Sequence, residues 1–372
     1  MPLVRGIQPD QMRSGGGKGN EDGTNGLFTL RSNADEAILK SEEYRKLNGG
    51  MIAFDGIEVS GDDKQQGGIR KFFKRIKGTK RPVIPLESIE HGSEEYPIII
   101  VVMGLTGAGK SKLVNDYAEE TLAVVGDKQA SQTKETKGYG FSIGGKHLIL
   151  VDTPGSNDTV GSDKDCLEGV AGWMAERYKK GTPIAGVIYL YDASSNRVKG
   201  SMRNDFTIFQ KLCGPDYFRR VFIGLSHCDA VSAKTLEDRT QELKSLLWKD
   251  VLGGGGSVWA LTADHESEAR KVDVRELVHF VAASHLLGLD SSRVTGPLAI
   301  QRELVDFHMT LAKTEAGKEL RRTLAEYLKH LEERKTGTYD TRELELQMNQ
   351  IRRDLEKMTS LSHQLLKALA LI

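Results

Sequence analysis

Gly104, Gly107, Gly109, Lys110 and Ser111 stand in the order G-x-x-x-x-G-K-S, directly after the apolar run Ile98 to Met103 and directly before a helical segment. That context suits one kind of chemistry. Glycines let backbone N–H groups curl around a phosphate, and a helix N-terminus adds partial positive charge. A lysine at this place reaches the outer phosphates of a nucleoside triphosphate, and the following hydroxyl ligates Mg²⁺. The run predicts a phosphate cradle of Gly104, Gly107, Ala108, Gly109, Lys110, Ser111 and Lys112.

A second element, Asp152-Thr153-Pro154-Gly155, closes the run Leu148 to Val151. Asp152 at a strand end can hold Mg²⁺ through water, and Gly155 can offer its N–H to a γ-phosphate with no side chain in the way. Between the two elements, the polar stretch 131–137 should supply a threonine to the metal; Thr133 is the first choice and Thr136 the second. The expected metal set is Ser111, Thr133 and Asp152, and the expected catalytic set Lys110, Thr133 and Gly155. Further on, the run Val221 to Leu225 ends in Ser226-His227-Cys228-Asp229. A carboxylate there can accept hydrogen bonds from the ring N–H and exocyclic amine of guanine. His227 stands where guanine-nucleotide sites usually carry lysine. The last loop, Thr262-Ala263-Asp264, follows the run Val258 to Leu261.

These residues need a sheet to hold them. Short β-branched runs at 97–103, 138–143, 146–152, 186–191, 220–226 and 257–262 alternate with helical-period segments. Such alternation predicts an α/β fold, a P-loop NTPase with a mostly parallel six-stranded sheet flanked by helices. Gly144-Gly145 predicts a tight hairpin between the second and third strands. After Asp163, the residues Leu167, Val170, Ala171, Met174 and Tyr178 form one apolar helical stripe.

Three regions follow. Residues 1–95 are glycine-rich, with mixed charges, and are expected to be largely disordered. Within them, 64–86 is a basic stretch, and its part 69–81 has an amphipathic face that would suit peripheral contact with an anionic membrane. Residues 96–288 form the nucleotide-binding domain. Residues 289–372 read as a helical or coiled-coil tail: Ile300, Leu304, Phe307 and Leu311 share one spacing, and Leu344, Met348, Ile351, Leu355 and Met358 begin a heptad run. A helical hairpin folded on itself or back onto the preceding domain fits the same pattern.

Lys plus Arg equals Asp plus Glu at 52 each, so no whole-surface attraction to nucleic acid is expected. Three cysteines, none in a C-x-x-C pair, argue against a disulfide scaffold or zinc ribbon and for a reducing, cytoplasmic setting. The apolar runs are far shorter than the ~20 residues of a membrane helix. Cys228, beside the expected base site, is a candidate for alkylation.

Residues 96–288 resemble the septin-like, immunity-associated GTPases, especially G-domain proteins of fungi. The likeness lies in the cradle from Val102 to Ser111, in Asp152-Thr153-Pro154-Gly155 with Asn157-Asp158-Thr159, in Ile184 to Tyr189, in Phe209 to Gly214, and in Pro297 to Val305 of the tail. The resemblance implies a Mg²⁺-dependent GTP- and GDP-binding protein that hydrolyses GTP slowly and assembles as a homodimer or oligomer through its G domain and coiled coil. No glutamine follows Gly155, so a group in trans is implied, with Arg177, Arg197 and Arg203 as candidates. Two other readings stay open: a nucleotide-loaded scaffold without useful catalysis, and a P-loop ATPase or kinase.

Overall fold

The computed structural model describes residues 37–47, 83–84, 96–123, 135–156, 160–195, 200–261, 264, 267–288, 296–335 and 341–368. Its sheet has seven strands in the order β1-β3-β4-β2-β5-β6-β7. They are β1 (Val83–Ile84), β2 (Ile98–Gly104), β3 (Lys137–Ile143), β4 (Lys146–Asp152), β5 (Ile184–Asp192), β6 (Val221–Ser226) and β7 (Ser257–Ala260). Six of these are the expected strands. The seventh, β1, is a two-residue edge strand antiparallel to β3.

β2 is central and parallel to both β4 and β5. Its unbroken apolar run is what a strand covered on both faces requires. Alternate side chains go to opposite layers: Ile99 and Val101 join one core, Ile98, Ile100 and Val102 the other. β3 and β4 form the expected hairpin, with Gly144 at φ 55° and Gly145 at φ 78°. Two consecutive positive φ values match the right-handed twist of the paired strands, and glycine adopts them without strain.

The helices that cover one face are α1 (Glu42–Leu47), α2 (Lys110–Ala118) and α6 (Glu268–Leu286). The first lies inside the stretch expected to be largely disordered, yet Ile38, Tyr44 and Leu47 are buried in the same core as α2 and α6. The amphipathic segment 69–81 lies outside the described residues. On the opposite face sit α3 (Val160–Lys179), α4 (Gly200–Cys213) and the tail, while α5 (Ala233–Leu246) joins β6 to the β7 side.

The coiled-coil expectation is not confirmed: in the described residues the tail packs on its own chain, as in the hairpin alternative. α7 (Glu315–Lys335) packs on α4, and α8 (Thr341–Ala368) folds back on α7 and α3. Leu320, Leu324 and Leu331 of α7 and the heptad members Met348, Ile351 and Met358 of α8 are buried in one cluster with Leu167, Val170 and Phe209 of the domain. The seam that would zip two chains together is filled by the chain's own helices. Gln301, also buried, ties the tail's start to α3 by donating to the Met174 carbonyl at 2.9 Å. The spacing of Ile300, Leu304, Phe307 and Leu311 does not make one helix: the backbone turns at His308, φ 51°, and Phe307 is left 61% exposed.

Because tail and domain share a core, Ile351→Ala is expected to destabilise the whole unit by about 2–5 kcal/mol. All three tryptophans, Trp173, Trp248 and Trp259, lie in the domain. Urea unfolding followed by their fluorescence should show one transition at a lower midpoint; an unchanged midpoint would mean that the tail is energetically separate.

Candidate functional site

The site begins where β2 stops. Gly104, at φ 135°, passes so close to the Leu190 carbonyl of β5 that no Cβ fits. Gly107 at φ 83° and Gly109 at φ 89° take left-handed backbone, and a Cβ on either would meet nothing within 4 Å. The loop therefore encloses open space at the N-terminus of α2, the shape and polarity that a phosphate needs. Ala108 is buried beneath it.

Lys110 is 6% exposed. Its Nζ donates to the carbonyls of Gly104 at 2.8 Å and Leu105 at 2.9 Å. Burial lowers its pKa from the ordinary lysine value, while Asp152, Cys166 and Asp205 oppose that shift. An ammonium held this way gains from an anion arriving in the cradle. Lys112 points elsewhere: it pairs with Asp116 one turn on, at 2.5 Å.

Ser111 Oγ donates to Asp152 Oδ2 at 2.7 Å. The end of β4 and the first turn of α2 thus bring a hydroxyl and a carboxylate oxygen together, hard donors of the kind Mg²⁺ takes. Among the described residues no group of three or more His, Cys, Asp or Glu could hold a metal. A P-loop ion takes only one or two protein oxygens, with water and phosphate supplying the rest, so this donor pair fits it. Thr133 lies outside the described residues. Thr136 is described, and its Oγ1 is buried without a hydrogen-bond partner.

The segment after Asp152 is fastened at each step. Thr153 Oγ1 donates to the Val102 carbonyl at 2.7 Å, and Cys166 Sγ to the Pro154 carbonyl at 3.1 Å. Thr106 N donates to the Ser156 carbonyl at 3.0 Å. Ser156 Oγ donates to Asp205 of α4, which also accepts from the Tyr189 hydroxyl of β5. Gly155 lies directly on the cradle: a Cβ there would stand 2.6 Å from the backbone N and Cα of Thr106.

At the far side, His227 adopts φ 52° and its Nε2 lies 3.2 Å from the Gly107 carbonyl. The histidine bridges the cradle and the short turn Cys228–Ala230, on which Asp229 is exposed. Cys228 is not poised for alkylation: it is buried, its Sγ donates inward to the Leu225 carbonyl, and burial pushes the thiol up to about 12. Thr262 and Ala263 lie outside the described residues.

Sequence reasoning missed three residues. Asp205 carried no motif and Tyr189 entered only as the end of the Ile184–Tyr189 run; only the packing of α4 against β5 brings the two to Ser156. Arg270 of α6 is buried, donates to the Leu261 carbonyl at 3.3 Å and pairs with Asp116 of α2 at 3.5 Å. It links the phosphate-side helix to the end of β7. Of the arginines considered in trans, Arg177 lies over the Trp173 ring at 4.9 Å and Arg203 is exposed on α4; Arg197 is outside the described residues.

Residues 99–209 match the family model described as 50S ribosome-binding GTPase. No curated protein matches the chain. Among solved structures, Toc33 from Arabidopsis thaliana with Mg²⁺ and GMPPNP is 18% identical, covering 59% of this chain and 92% of its own, at a TM-score of 0.41. SelB, a translation elongation factor from Methanococcus maripaludis in complex with GPPNHP, is 13% identical over 51% of this chain and 34% of its own, at 0.35. Era bound to MgGDPNP and part of 16S ribosomal RNA is 16% identical over 45% and 52%, at 0.35. The family match is confined to residues 99–209, and with the strand order it supports a P-loop GTPase fold for that part of the chain. The match does not reach the narrower septin-like or immunity-associated type.

Gly155→Ala should force the Asp152–Ser156 segment off the cradle and cost about 1–3 kcal/mol through overpacking. Thermal unfolding of the purified variant checks this; an unshifted midpoint would show that the two loops do not press on each other.

Proposed function

We propose that this chain is a guanine-nucleotide-binding protein that holds GTP or GDP with Mg²⁺, hydrolyses GTP slowly by itself, and is accelerated by a group supplied in trans. The observation that carries the reading is the Lys110, Ser111 and Asp152 geometry at an open, glycine-built helix N-terminus.

In this reading the amides of 107–111 and the Lys110 ammonium bind the β- and γ-phosphates and stabilise charge that grows on them during cleavage. When bound, Mg²⁺ would be held by Ser111 directly and by Asp152 through water, and would neutralise charge between the outer phosphates. Thr133 is kept as the expected third ligand. Gly155 supplies an N–H toward the γ-phosphate. Asp229 accepts from guanine, and His227 takes the bridging place beside the cradle.

Slow hydrolysis follows from what succeeds Gly155. Ser156 stands where a water-orienting residue is wanted, but its hydroxyl already donates to Asp205. A group in trans can raise the rate by ~10³–10⁵. A second copy meeting this one across the nucleotide face would supply it, with exposed Arg203 as one candidate. The scaffold reading loses part of its support, because the heptad tail that would assemble copies is packed within the chain. No described helix is long and apolar enough to cross a membrane.

Calorimetric titration with GTP, GDP and ATP, with and without Mg²⁺, is the direct test. GTP and GDP should bind in preference to ATP, and Asp229→Asn should weaken guanine binding about 10–150-fold, the loss of a charged hydrogen-bond partner. Preference for ATP would overturn the guanine reading. Lys110→Ala should lose nucleotide affinity by a similar factor, and full retention would remove the site. Turnover per molecule should rise with protein concentration; a flat, near-zero rate would favour the scaffold.

A further inference from the structure

A cavity of about 510 Å³ lies behind the Asp152–Ser156 segment and touches the start of the phosphate cradle at Gly104 and Leu105. Its floor is Thr153, Pro154 and Ser156; α3, α4 and α7 form its walls. The volume falls within the range of small-molecule sites. None of the positions that face a phosphate, Gly107, Gly109, Lys110 or Ser111, takes part in it.

The wall has two characters. Leu167, Val170, Ile208, Phe209, Leu212 and Leu324 give a broad apolar surface. Among the described residues the charged wall groups are Asp163, Asp205 and Glu326, the last paired with Arg322, and His330 is the one basic lining group. Asp205 is half-buried, and Glu326 sits at the exposed rim. An Asp205 carboxylate has about four acceptor positions; Ser156 and Tyr189 use two. Lys110, whose field reaches Asp205, directs two of its three donors to the Gly104 and Leu105 carbonyls. Across the space, Thr323 Oγ1 of α7 is buried without a hydrogen-bond partner. Apolar walls around a carboxylate with spare acceptor capacity select a donor that carries positive charge and an apolar body. A carboxylate or phosphate ligand would meet like charge.

We propose that this cavity binds a small amphipathic amine, its ammonium on Asp205 and its apolar body between α3, α4 and α7. Burial raises the Asp205 carboxyl above its ordinary value, and an arriving ammonium would offset that. The site adjoins the nucleotide segment through Ser156 and the cradle through Gly104 and Leu105.

The test uses the full GDP-loaded chain and three probes with the same ring: naphthylethylamine, naphthylethanol and naphthylacetate. The amine should raise the melting midpoint by at least about 2 °C when saturating, the alcohol less, and the carboxylate not at all. Asp205→Asn should remove the amine's advantage over the alcohol. Ile208→Trp fills the cavity from α4 and replaces no cradle residue; it should keep GDP binding and lose the amine's effect. Equal shifts from all three probes, no shift from the amine, or an amine effect that survives Ile208→Trp would each overturn the proposal. Loss of guanine preference in the cradle would leave this result intact, so the two readings fail separately.

Discussion

A buried ammonium sets the terms for the whole site. Lys110 opens α2, and its ammonium folds back to the end of a strand enclosed on both faces, where a cation without acceptors would cost several kcal/mol. The Gly104 and Leu105 carbonyls turn back toward it. That turn needs the backbone of Gly104 pressed against β5, and then left-handed residues at Gly107 and Gly109 before α2 can start. The same geometry that satisfies the lysine leaves amides facing open space. The open cradle and the local fold are therefore consequences of one arrangement.

From that point the constraint spreads through hydrogen bonds. Thr106 of the cradle holds Ser156, Ser156 is held by Asp205 of α4, and α4 is covered by α7 of the tail. On the other side, Asp116 of α2 meets Arg270 of α6, which reaches Leu261 beyond β7. A displacement of the segment after Asp152 would thus be felt by α4 and the tail, whereas the Asp116–Arg270 pair ties α2 to α6. Buried polar links of this kind resist partial disruption, because each leaves an unmet partner behind.

The tail is best understood as part of the domain. Its apolar face completes a core that α3 and α4 alone would leave open to water. A heptad pattern fits this packing, because an antiparallel helix pair docked on two other helices buries the same a and d spacing as a coiled coil.

The sequence alone determined what depends on local chemistry. The Gly104–Ser111 turn, the Asp152 strand end, the Gly144-Gly145 hairpin and six strands are written in short contiguous patterns, because turn conformation and strand burial are decided within a few residues. Tertiary structure decided what depends on distance along the chain. The pairing of Ser156 with Asp205, the link from Asp116 to Arg270, the docking of α1 and the folding back of α8 join residues dozens to hundreds of positions apart. The residues carry no signal of this beyond being polar or apolar. An apolar stripe states that something must cover it, and only the packed chain states what does.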